Sequence, residues 1–110
     1  MRKLLFLLAT TVASTSAFAG STEQFCESEW PDDYAMQEYC IDQQNAAKNS
    51  VADFKSQHGL TADNLESKAT SGVVPARILQ GCKAEWPNDV AMVDYCVNQQ
   101  AKSAKKLGRM

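Results

Sequence analysis

The side chains of this 110-residue chain that could do chemistry come in two matching groups. Cys26, Glu29, Trp30, Asp33, Tyr39, Cys40, Gln43 and Gln44 recur 56 positions later as Cys82, Glu85, Trp86, Asp89, Tyr95, Cys96, Gln99 and Gln100. Thiols at such positions suggest disulfides or a metal centre. Carboxylates suggest acid–base work or calcium binding. Indoles and amides suggest stacking and hydrogen-bonding contact with a partner.

The metal readings are weak. A C-x13-C spacing is not a zinc-ligand spacing, and the single histidine, His58, has no counterpart in the second group. Glu29, Asp32 and Asp33, with Glu85 and Asp89, do not alternate over a dozen residues as a calcium loop does. Placed just around a proline, they suit the positive start of a helix. The chain has no C-x-x-C pair, glycine-rich phosphate loop or clustered metal-binding histidines. Nothing in the placement of Ser, His and Asp suggests a triad. No catalytic residue, metal or cofactor is therefore assigned, and a non-enzymatic protein is expected.

The ends place the chain. Arg2 and Lys3, the apolar run Leu4 to Val12 and the small-x-small Ala17-Phe18-Ala19 read as a signal peptide over residues 1–19. The run is shorter than the roughly 20 apolar residues needed to cross a bilayer. Export to the periplasm is expected, with full secretion as the alternative. Without Arg2 and Lys3, nine basic residues face thirteen acidic ones, a charge of about −4, which argues against nucleic acid as a partner. Lys102, Lys105, Lys106 and Arg109 near the C-terminus suit the negative end of a helix dipole.

Four cysteines in an exported chain imply two disulfides. Loop entropy hardly separates the three pairings. A 15-residue loop contributes about 3 kcal/mol and a 57-residue loop about 1 kcal/mol more. The repeat decides instead. A duplicated unit closes on itself, which pairs Cys26 with Cys40 and Cys82 with Cys96.

The elements follow from the same frame, C-x-x-E-W-P-x-D-x-A-M-x-x-Y-C-x-x-Q-Q. Trp30-Pro31 and Trp86-Pro87 predict helix starts, with proline in the first turn. The first helix should run to a stop at Gly59 and the second to a stop at Gly108. Met36, Cys40, Gln43, Ala47, Val51 and Phe54 share a face, with His58 at its end. Met92, Cys96, Gln99 and Leu107 form the equivalent stripe. Gln43 and Gln99 are expected to be buried and bonded to the Cys–Trp turn. Thr61 predicts a short helix over 62–68, Ser71-Gly72 a break, and Pro75 a helix leading into Cys82. The expectation is an all-α fold of two tandem disulfide-braced helical hairpins in one small domain over 20–110. Repeat 1 spans about 22–58, a linker about 59–74, and repeat 2 about 75–108.

The sub-pattern C-x-x-E-W-P-x-D-x-x-M-x-x-Y-C-x-x-Q is carried by Cys26 to Gln43 and by Cys82 to Gln99. It resembles a motif of small exported bacterial proteins of unknown function. The resemblance covers less than half of the exported chain. It implies a bacterial source and an envelope or external destination, and it carries no activity.

The residues left for partner contact are Trp30 and Trp86, Gln44 and Gln100, and a second apolar stripe of Tyr34, Ile41, Val90 and Val97. Core packing beside a disulfide competes with this for the tryptophans and for Tyr39 and Tyr95. The leading expectation is an interaction module for another envelope or secreted protein, with a homo-oligomer also open. The alternatives are a glycan or metal module with one site per repeat, and a secreted inhibitor or effector.

Overall fold

The computed structural model describes residues 21–110, so the signal-peptide reading of 1–19 lies outside the described residues. Five helices and no strand are found among the described residues. They are α1 (Thr22–Glu29), α2 (Tyr34–Gln57), α3 (Leu65–Thr70), α4 (Val74–Glu85) and α5 (Val90–Lys106). The fold is all-α, with both expected disulfides: Cys26–Cys40 and Cys82–Cys96 each join Cα atoms 5.7 Å apart.

Each disulfide ties the end of one helix to the second turn of the next, across the same four-residue turn. The Trp30 N–H donates to the Cys26 carbonyl at 3.0 Å and closes α1. The Asp33 N–H then donates to the Trp30 carbonyl at 3.3 Å. Trp86 and Asp89 repeat the pattern at 3.0 and 3.4 Å. This is a β-turn with proline in its favoured second position.

Proline therefore acts in the turn and not at the helix start, which corrects the expectation for Pro31 and Pro87. Aspartate starts the helices. Asp33 Oδ1 accepts the Met36 N–H at 3.1 Å, and Asp89 Oδ1 accepts the Met92 N–H at 3.2 Å. A short carboxylate at that position satisfies a donor that the helix itself leaves unpaired.

The helix ends fall at the expected glycines. Gly59 has φ +64°, and Gly108 has φ +73°. After each, the chain turns back by a bond from the next residue, Leu60 N–H to Lys55 carbonyl and Arg109 N–H to Ala104 carbonyl, both at 2.8 Å. This is the glycine-ended cap that L side chains resist. The linker helix begins at Leu65, three residues later than the sequence suggests. Thr61 and Asn64 bond reciprocally, side chain to backbone, at 2.8 and 3.1 Å, and hold residues 61–64 as a turn first.

The chain divides into two compact units, one through Ile41 and one from Asp42. The first holds α1, the opening turns of α2 and the Cys26–Cys40 bridge, with Cys26 fully buried. The second has the main core: Leu60, Ala69, Ala76, Leu79, Cys82, Val93 and Val97. Val51, Phe54, Leu65, Ile78 and Trp86 pack against it. In this unit α4 packs on both α3 and α5.

Candidate protein-docking face

The polar side chain that the second unit buries is Gln44, on α2. It is 5% exposed and is the one buried polar residue among the described residues. Its Nε2 donates to Asp89 Oδ1 at 2.9 Å, and its Oε1 accepts the Val90 N–H at 3.0 Å. Both ends of the amide are thus used, as burial demands. One turn and a half further on, Ser50 Oγ donates to Asp94 Oδ1 at 2.6 Å. Ala47 is buried, and Val51 packs into the core. Gln44 and Ser50 thus meet the first turns of α5, on a face of α2 that also carries the buried Ala47 and the core-packed Val51.

The equivalent face of α5, 56 positions on, is Gln100, Ser103, Lys106 and Leu107. There the environment is reversed. Gln100 is exposed, and Leu107 is 70% exposed. Gln100, Ser103 and Leu107 line an open groove of about 510 Å³, whose other wall is α4 with Arg77 and Ile78. Its lining includes Cys82 and Cys96, with Glu85 and Arg109 as charged groups. Leu107 is a large apolar side chain with little cover, in a concavity with both amide and charged groups. Such a surface suits a protein partner better than water.

No family model, curated protein or solved structure matches the chain.

The sequence-selected residues divide into three sets. Tyr34, at 73% exposed, Trp30, at 40%, and Gln100 stand at the surface. Ile41 and Val90 are half-buried, and Trp86 is half-buried against the core. Gln44 and Val97 are buried, so neither is available to a partner. Val97 is core because α5 packs on α4 and sets it in one cluster with Leu79 and Cys82. The sequence pattern puts Gln43 within the buried stripe and Gln44 at its side, and the structure exchanges them. From Cys40 the buried face steps to Gln44, Ala47, Val51 and Phe54, whereas Gln43 is exposed. Steps of three and four are both helical neighbours, and only the position of Asp89 selects the second. Gln99 is exposed as well.

The bond expected of Gln43 is made by Gln37. Its Nε2 donates to the Trp30 carbonyl at 2.7 Å and to the Pro31 carbonyl at 3.3 Å. Position 93, its counterpart, is a buried valine. Gln37 and the Ser50–Asp94 pair escape sequence reasoning because neither is repeated. Tyr39 and Tyr95 are both exposed beside their disulfides. At the far end of α2, His58 lies against Phe54, ring centroids 4.6 Å apart.

Among the described residues no group of three or more His, Cys, Asp or Glu could hold a metal ion. All four cysteines are in disulfides. No described helix is long and apolar enough to cross a membrane.

Proposed function

We propose that this chain is a non-enzymatic protein-interaction module of the bacterial cell envelope, exported to the periplasm. It binds through the open groove beside Gln100. The observation that carries this reading is the contrast between two equivalent faces. The Gln44 face meets a helix start through its amide, its small residue Ala47 is buried, and its apolar residue Val51 packs on the core. The Gln100 face has the same amide, a small residue and a larger apolar one, and lies open. Two disulfides in a chain of this size favour an oxidising compartment.

A glycan module with one site per tryptophan is less well supported. Trp86 packs on the core while Trp30 is exposed, so the two do not form equivalent platforms.

The test is site-specific photo-cross-linking in the envelope of an exporting cell. A photoreactive residue replaces Leu107, and in a control replaces Asp53, which is exposed on α2 outside the groove. A discrete adduct from position 107, absent from position 53 and identified by mass spectrometry, is the expected result. Equal labelling at both positions, or none at either, would overturn the reading.

A further inference from the structure

The chain contains a precedent for what a face of this kind receives. Inside the chain, the Gln44 face takes one kind of object: a helix start capped by aspartate. Asp89 and the Val90 N–H meet the amide, and Asp94 meets Ser50. The chain has a second helix start of the same build. Asp33 caps α2 as Asp89 caps α5, through the same bond to the third residue on. Shifted by 56 positions, Asp89, Val90, Asp94 and Val97 become Asp33, Tyr34, Glu38 and Ile41.

We infer that the groove beside Gln100 takes the Asp33–Tyr34 helix start of a second copy of this chain, joining copies head to tail. This rests on the reading of that groove as a protein-docking face, and names the occupant.

Two observations support the match besides the repeat itself. The first is charge. The Ser50–Asp94 hydrogen bond maps onto Lys106 and Glu38, both exposed, which gives the contact between copies an ion pair where the internal contact has a neutral donor. In the groove Arg77 and Arg109 outnumber Glu85, opposite a segment that carries Asp32, Asp33 and Glu38. Opposite charges on the two faces favour encounter and set register. The second is apolar exposure. Tyr34 and Leu107 are the two most exposed large hydrophobic residues described, and they belong to opposite sides of the proposed contact.

The contact is heterologous: each copy offers one groove and one helix start. Such contacts close into a ring or run on as a filament.

The experiment is a charge swap read by sedimentation velocity on the oxidised full chain across a range of concentrations. The wild type should self-associate as concentration rises. Lys106→Glu and Glu38→Lys should each weaken association about tenfold, since each turns an attraction into a repulsion. The double variant Lys106→Glu/Glu38→Lys should restore it, with unchanged circular dichroism in all four proteins. A single-chain mass at every concentration overturns the inference, as does association that neither reversal weakens or that the double variant fails to recover. The cross-linking experiment keeps the two proposals apart. An adduct at position 107 with a different polypeptide leaves the docking face standing and removes the second copy as its occupant.

Discussion

Gln44 Nε2 donates to Asp89 Oδ1 at 2.9 Å across 45 positions of sequence, inside the second compact unit. One carboxylate thereby has two tasks. It caps α5 through the Met92 N–H and it holds the buried amide of α2. Its counterpart Asp33 caps α2 through Met36 alone. Loss of Asp89 or of Gln44 should therefore cost more than loss of the matching residue that lacks the link.

Gln44→Ala should destabilise the chain by about 1–3 kcal/mol, because it removes two bonds and leaves the Val90 N–H without its acceptor. Gln43→Ala, one position away on the exposed side, should stay within about 0.5 kcal/mol of wild type. Urea denaturation of the two variants in parallel checks this, and equal midpoints would refute the assignment.

The two capping aspartates should not be equivalent. Asp33→Ala removes a cap alone, at a cost of about 1 kcal/mol. Asp89→Ala removes a cap and strands the buried Gln44 amide as well, which adds about 1–3 kcal/mol. The comparison is made by thermal melts at a dilution where single chains dominate. A larger loss at Asp33 would contradict the geometry.

Both bridges should matter to stability, and each closes a short loop. Replacing Cys82 and Cys96 by alanine should cost about 2–5 kcal/mol. Part of that loss comes from the packing of Cys82, which lies in the core cluster. Non-reducing peptide mapping of the wild type should return the 26–40 and 82–96 links and no peptide joining the two repeats.

Gly59→Ala should destabilise by about 1–2 kcal/mol, since φ +64° is a left-handed conformation that a Cβ disfavours. Space is not the obstacle. The nearest atom to an added Cβ is the end of the flexible Lys68 side chain, at 3.6 Å. Gly81 has φ outside that region and open space around it, and sits within α4. Gly81→Ala should therefore be neutral or stabilising, by up to about 1 kcal/mol. Chemical denaturation of the pair decides the matter.

Much of the architecture is legible in the residues. The repeat chooses the cysteine pairing, and glycines 59 and 108 mark helix ends that the backbone confirms. The Trp-Pro pair places the helix starts a few residues early, because proline suits a first helical turn as well as a β-turn. The tryptophan carbonyl, which accepts the aspartate N–H and makes a separate turn, leaves no mark on composition. The candidate face is harder to read. Gln43 and Gln44 are chemically identical neighbours, and a helical pattern alone does not separate steps of three from steps of four. The choice is made by Asp89, forty-five positions away, through a contact that only the folded chain creates. Attention to repeated residues also hides the unrepeated ones. Gln37 and Ser50 make bonds of 2.7 and 2.6 Å, and neither has its like in the other repeat.

The burial of Gln44 beside the exposure of Gln100 has a consequence for how the sequence tolerates change. The two glutamines are the same letter in the same motif, yet one is fixed by folding and the other only by whatever it binds. In a saturation library selected for folded, protease-resistant protein, position 44 should reject nearly every substitution while position 100 accepts most. Selecting the same library for binding would bring position 100 under constraint as well. The difference between the two selections would map the binding surface residue by residue, whichever partner occupies it.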